Sequence, residues 1–133
     1  MVQQLVVDAF NVIGARPTGW WRDRPGAVRR LHERLAALHQ ADGTPILLVV
    51  DGRPLPDLPE GDVDGVEVRY AKRGGPDAAD DRIVDLLAGR PAPRDALVVT
   101  ADRRLRERLA DLGVAVAGPG TLYDRLDALA GDR

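Results

Sequence analysis

The sequence predicts a three-layer α/β/α sandwich on a mainly parallel five-stranded sheet. Strand-like and helix-like segments alternate along the chain. Most of the strand-like segments are uninterrupted aliphatic runs, which is typical of parallel strands covered on both faces. The length of 133 residues and the hydrophobic fraction of 44% suffice for one domain, residues 1–133, with a substantial core.

Five short segments are predicted to be strands. In chain order they are residues 5–7, 46–50, 66–70, 97–100 and 114–117. The second of them, Ile-Leu-Leu-Val-Val, contains no polar residue, as expected for a central strand. The third alternates apolar and polar residues, which indicates an edge strand or a half-buried one.

Helices are predicted in most of the intervals, because apolar residues recur there every three or four positions. The expected starts are Pro25, Asp77, a position before Leu105, and Thr121, and the first three helices are expected to end at Gly43, Gly89 and Gly113. Thr121 and Asp124 form a variant of the capping box. The interval 52–65 contains three prolines and is predicted to be an irregular connection.

Composition excludes several classes of protein. The chain has no cysteine, which excludes a disulfide framework, a zinc knuckle, an iron–sulfur cluster and a cysteine nucleophile. A formal charge of −2 argues against a generic polycation that coats nucleic acid. The longest aliphatic run, residues 46–50, is too short to span a bilayer, and no secretory signal pattern is visible. A cytoplasmic location without membrane contact is therefore expected.

The acidic residues are mostly aspartates placed at predicted strand ends and helix starts. These are Asp8, Asp51, Asp77, Asp80, Asp81 and Asp102. In a parallel sheet these positions meet at one edge, where the carboxylates would repel one another unless cations intervene. Hard oxygen ligands favour Mg²⁺ or Mn²⁺. Taken singly, each acid near a helix start could instead only stabilise its helix by interacting with the helix dipole, which contributes up to about 1 kcal/mol.

Three segments resemble a known family. Asp8-Ala9-Phe10-Asn11-Val12-Ile13-Gly14 resembles the opening motif of NYN domains in the PIN-like nuclease superfamily, whose fold is Rossmann-like. Residues 79–83, Ala-Asp-Asp-Arg-Ile, resemble the Thr-Ala-Asp-x-x-Ile segment of the YacP-like branch, with Ala78 where that pattern usually has Thr. Residues 98–102 resemble its Val-Val-Thr-Ser-Asp, and Asp51 matches a strand-ending Asp of many members.

The resemblance implies a metal-dependent ribonuclease that hydrolyses phosphodiester bonds of single-stranded RNA. The implied metal ligands are Asp8, Asp80 and Asp102. Asp51 and Asp81 would support these ligands or hold a second metal, and Asn11 would orient a ligand or a water. Two alternatives are a non-catalytic NYN-like module that binds RNA or protein, and a toxin-type PIN ribonuclease. No Gly-x-Gly-x-x-Gly follows the first strand, which disfavours a dinucleotide-binding enzyme.

Basic and aromatic residues near the same edge are candidates for substrate binding. They are Arg16, Trp20, Trp21, Lys72, Arg73, Thr100 and Arg103. The cations could contact phosphates, and the paired Trp residues could stack an unpaired base, pack over the core, or form a dimer contact. The expected partner is single-stranded RNA. The ribosome, other RNA-processing machinery and a second copy of the chain are left open.

Overall fold

A computed structural model describes residues 3–71, 78–89 and 95–131. The strands are β1 (Gln4–Asp8), β2 (Ile46–Asp51), β3 (Gly61–Val63), β4 (Val66–Ala71), β5 (Ala96–Val99) and β6 (Ala115–Ala117). The helices are α1 (Ala9–Gly14), α2 (Arg24–Asp42), α3 (Ala78–Ala88), α4 (Arg103–Asp111) and α5 (Pro119–Gly131). Within these residues the strands form one sheet in the order β3-β4-β2-β1-β5-β6, in which only the β3–β4 pair is antiparallel.

The sheet lies between two helical layers. Leu5 and Val7 of β1 pack with residues of α1, α2 and α5, whereas Val6 packs with residues of α3 and α4. This division follows from the strand itself, because successive side chains point to opposite faces. The predicted three-layer, mainly parallel architecture is confirmed.

The longest helix, α2, begins and ends as its sequence suggests. The Asp23 carboxylate accepts a hydrogen bond from the Gly26 N–H at 3.0 Å, and Pro25 lies in the first turn, where its missing N–H costs nothing. Gly43 ends the helix in the left-handed conformation at φ 75°.

Three details differ from the sequence prediction. Strand β3 lies inside the interval 52–65, so the described residues form six strands rather than five. Because β3 pairs with β4, segment 66–70 is the half-buried strand of the two predicted alternatives and not the edge strand, which is no difference. Helix α1 follows β1 without a loop and was not predicted. Helix α5 begins at Pro119, so Thr121 is not its cap.

The strand order reverses at β1. From there the chain moves outward to β2 on one side and returns to β5 on the other, so β1 lies between them. Ligands of open α/β sheets bind outside the carboxyl ends of the strands at such a point. No helix within the described ranges is long and apolar enough to cross a membrane.

Candidate active site

Asp8 lies at the carboxyl end of β1, at the reversal point. It continues the alternation of Val6, so its side chain is on the α3 and α4 side of the sheet. It is 5% exposed, although it is an aspartate at the end of a strand. The Thr100 hydroxyl donates a hydrogen bond to Asp8 Oδ2 at 3.0 Å, which joins the ends of β1 and β5.

Burial is the main reason why the pKa of Asp8 is raised from 3.8 to about 7. The carboxylates of Asp80, Asp102 and Asp51 raise this pKa further, while the hydrogen bond from Thr100 lowers it. These three acids therefore act electrostatically on Asp8, as expected for acids gathered at one edge of the sheet.

Each neighbour of Asp8 is delivered by the element that carries it. Asp80 lies in the first turn of α3 and is 5% exposed. Asp102 caps α4, accepting a hydrogen bond from the Leu105 N–H at 3.1 Å. Asp51 is the last residue of β2 and is half-buried. The convergence follows from the fold, since helices after parallel strands begin at the edge where those strands end.

Thr100 and Asn11 organise the turn that leads from β5 into α4. Thr100 is fully buried, and its Oγ1 also accepts a hydrogen bond from the Asp102 N–H at 3.1 Å. Asn11 Oδ1 accepts one from the Ala101 N–H at 2.6 Å. Because both residues bond to this turn, they hold the backbone of Asp102 relative to Asp8. The sequence marked Thr100 and Asn11 but did not indicate this shared role.

Asp81 faces away from the buried acids. Its exposed carboxylate pairs with Arg108 Nη1 at 2.8 Å, which links α3 to α4. Across residues 3–71, 78–89 and 95–131, no group of three acidic or histidine side chains lies close enough to hold a metal ion as arranged. The acids share one edge without forming a closed coordination shell.

The predicted substrate-binding residues lie in different surroundings. Arg16 donates to Asp127 at 2.7 Å and stacks on the Tyr123 ring, whereas Arg103 is highly exposed near Glu107 at 3.5 Å. Lys72, Arg73 and Asp77 lie outside the described residues.

The two tryptophans also differ. Trp20 is partly buried against the core, 6.2 Å from the Phe10 ring centroid. Trp21 packs edge-on against Trp20 at 6.0 Å and is 56% exposed. Only Trp21 presents a large hydrophobic surface to solvent within the described part of the chain.

Sequence reasoning missed Asp127 and Phe10. Asp127 pairs with both Arg16 and Arg34 at 2.7 Å, and hydrogen bonds from these two arginines hold its pKa at about 2. Phe10 lies under the guanidinium of Arg24, 4.6 Å from the ring centroid. Both contacts join residues of separate elements, so no local spacing could have indicated them.

The fold is a mainly parallel sheet between helical layers, as in the NYN-type nuclease domains that the sequence motifs resemble. The chain belongs to the YacP-like NYN domain family, whose model matches residues 5–132. The family is one of nucleases.

Solved structures share the fold. Rae1 (YacP) from Bacillus subtilis has a TM-score of 0.74 and 22% identity, over 98% of this chain and 77% of that one. A mutant of the same protein has a TM-score of 0.78 and 21% identity, over 98% of this chain and 79% of that one. At this identity the likeness shows the fold alone. No curated protein sequence matches the chain.

Proposed function

We propose that the chain is a Mg²⁺- or Mn²⁺-dependent ribonuclease that hydrolyses phosphodiester bonds of single-stranded RNA at the carboxyl edge of its sheet. The observation that carries the proposal is the gathering of Asp80, Asp102 and Asp51 around the buried carboxyl of Asp8. Membership of a nuclease family supports it. RNA is the substrate class that this family suggests.

The donor chemistry fits a hard divalent cation. Every acid at the edge offers carboxylate oxygen, which Mg²⁺ and Mn²⁺ prefer. The neighbouring carboxylates disfavour the ionised form of Asp8, and a dication bound among them would favour that form by offsetting their negative charge. We assign Asp8, Asp80 and Asp102 as ligands and Asp51 as a supporting carboxylate. Since these side chains are not yet in a closed shell, binding would draw them inward.

Hydrolysis forms a bond between phosphorus and a water oxygen and breaks the bond from phosphorus to a ribose oxygen. The water releases a proton, and the leaving oxygen takes one up. When bound, the cation lowers the pKa of water and neutralises charge on the phosphate.

In this proposal the polar residues of the edge keep the acids in place. Thr100 and Asn11 hold Asp102 next to Asp8 through the turn after β5. Being buried, Thr100 acts through Asp8 rather than on the substrate. Asp81 is already paired with Arg108, and we give it a structural role between α3 and α4.

A cleavage assay with matched variants tests the proposal. Single-stranded RNA, labelled at either end, is incubated with wild type, Asp8→Asn and Asp85→Asn in Mn²⁺, in Mg²⁺ and in EDTA. Asp85 is an exposed aspartate on α3, so Asp85→Asn removes one carboxylate without touching the edge. The wild type and Asp85→Asn should cut the RNA, and EDTA should stop both. Asp8→Asn should be slower by on the order of a hundredfold or more.

Two results would contradict the mechanism. Cleavage that persists in EDTA would exclude the divalent cation, and full activity of Asp8→Asn would exclude the assigned site. If no RNA is cut and calorimetry detects no Mn²⁺ binding, the non-catalytic RNA- or protein-binding module becomes the better description.

A further inference from the structure

A cavity of about 170 Å³ adjoins the carboxylate edge on the α2 side of the sheet. It lies between the start of α2, the end of β2 and the loop that follows β2. Two of its lining residues connect it to the site. Asp51 acts on the charge of Asp8, and Phe10 is two positions after Asp8 in the chain. A ligand in this cavity would therefore lie at the same end of the sheet as the acids, in contact with the end of β2, the strand next to β1.

The floor of the cavity is apolar. Phe10, Val28, Val50 and Leu55 line it. Tyr70 also contributes, but its hydroxyl is already engaged, donating to the Leu58 carbonyl at 2.7 Å and accepting from the Leu55 N–H at 3.3 Å. The floor is thus suited to an apolar, planar group and poorly suited to a sugar or a phosphate.

The rim of the cavity is cationic. Arg24 and Arg53 both line it and are exposed. Arg24 lies over the ring of Phe10 and reaches that of Trp20, at 4.6 and 5.6 Å from the centroids. In the described part of the chain no ion pair engages either arginine. Their charges remain available to an anionic ligand, and a guanidinium is well suited to phosphate.

The loop that walls the cavity is held in place. Arg29 of α2 binds Asp57 through two hydrogen bonds, at 2.6 and 3.0 Å. The Tyr70 N–H donates to Glu60 Oε1 at 2.9 Å. With the bonds to the Tyr70 hydroxyl, these contacts tie the loop to α2 and to β4. The cavity is therefore largely formed before any ligand enters.

We propose that this cavity holds one base of single-stranded RNA, with the backbone phosphates of the same strand at Arg24 and Arg53. An apolar slot with an aromatic ring in its floor matches a nucleobase, and rim arginines that no ion pair engages among the described residues match a polyanion. The volume is below the about 300 Å³ at which sites for drug-sized ligands begin, so one ring system is a suitable occupant. The inference rests on the proposed function and adds a base-binding subsite to it.

Binding measured without divalent cation tests this subsite separately from cleavage. Fluorescence anisotropy follows a labelled single-stranded hexaribonucleotide and a set of copies, each with one abasic position, at one fixed salt concentration. For wild type, one abasic position should weaken binding by on the order of tenfold, since a stacked base contributes about that much. Phe10→Leu keeps an apolar side chain but removes the ring, and should bind intact and abasic strands equally.

Further variants separate the cavity from general charge and from misfolding. Arg24→Ala should weaken binding of every strand, while Arg30→Ala removes an exposed arginine of the same helix, outside the cavity, and should have little effect. If Phe10→Leu does not fold by circular dichroism, Leu55→Phe narrows the cavity from the loop and should abolish the same base dependence.

The outcomes distinguish this inference from the proposed function. Loss of the abasic penalty in Phe10→Leu or Leu55→Phe supports the subsite. An equal penalty in wild type and variants, no penalty at any position, or no RNA binding overturns it, even if Mn²⁺-dependent cleavage is found. Base-dependent binding by a wild type that never cuts RNA supports the subsite and contradicts the ribonuclease.

Discussion

Replacing Asp8 by Asn tests how much stability the buried carboxyl costs the fold. Burial, with added repulsion from Asp80, Asp102 and Asp51, raises the pKa of Asp8 from 3.8 to about 7. Asn has nearly the same shape, carries no charge, and can still accept the hydrogen bond that Thr100 donates. We therefore expect Asp8→Asn to be more stable than wild type at neutral and higher pH.

The raised pKa sets the sign and the pH range of this effect. Between pH 3.8 and about 7, folded Asp8 holds a proton that the unfolded chain releases, so wild-type stability falls as pH rises through this interval. Above about pH 7, the loss of wild-type unfolding free energy reaches at most about 4 kcal/mol. Below pH 3.8 the loss disappears, because Asp8 is protonated in both the folded and the unfolded state. For a chain of this length that corresponds to a Tm difference on the order of 10 °C.

Thermal unfolding followed by circular dichroism from about pH 4 to pH 8 measures the difference. The Tm of Asp8→Asn should rise relative to that of wild type as pH increases. The Tm of Asp85→Asn, whose substitution is at an exposed position on α3, should show no such trend. The reasoning is refuted if Asp8→Asn is no more stable than wild type at the upper end, or if its advantage is the same at both ends.

The same measurement bears on function. Active sites commonly lower the stability of a fold, because they hold charged groups close together in the absence of a ligand. A variant that gains stability and loses cleavage would show that the lost activity is not due to unfolding.

Three further predictions concern single contacts. Thr100→Val removes a buried hydroxyl that is hydrogen-bonded to Asp8 and to the Asp102 N–H, and should lower the free energy of unfolding in urea by about 1–3 kcal/mol. Thr100→Ser, which keeps the hydroxyl, should be close to wild type. An unchanged denaturation midpoint in Thr100→Val would contradict the assigned contacts. Arg34→Ala should raise the pKa of Asp127 from about 2 towards 3.8, because Asp127 loses one of its two arginine partners. NMR titration of the carboxyl group measures this pKa, and an unchanged value would contradict the pairing. Gly65→Ala should destabilise the fold by more than about 1 kcal/mol, because Gly65 has φ 87° and a Cβ there would meet the His39 ring; a neutral result by the same denaturation would contradict it.

Sequence patterns predicted the elements that are long and strongly patterned. Strand β2, five aliphatic residues followed by Asp51, and helix α2, between Pro25 and Gly43, needed no tertiary information. Strand β3 could not be predicted, because its three residues, Gly-Asp-Val, carry too little pattern and pair only once β4 is in place. Helix α1 was missed because it begins directly after Asp8, without a turn signal.

The acids at the edge were predictable for a topological reason, whereas their surroundings were not. Strand ends and helix starts reach one edge in any parallel α/β sheet, so Asp8, Asp80 and Asp102 could be grouped from their positions alone. That Thr100 is fully buried beneath Asp8 depends on how β1 and β5 pair. The cavity beside Asp51 depends on how the proline-containing loop folds back on α2, which no local pattern encodes.

The hairpin formed by β3 and β4 also limits how the chain can associate with itself. Both outermost strands, β3 and β6, are three residues long. A short edge offers few unpaired backbone groups to a strand from another molecule, so growth by sheet extension is disfavoured. The long aliphatic strands that would aggregate most readily therefore lie in the interior of the sheet, and a three-residue strand borders the sheet on each side.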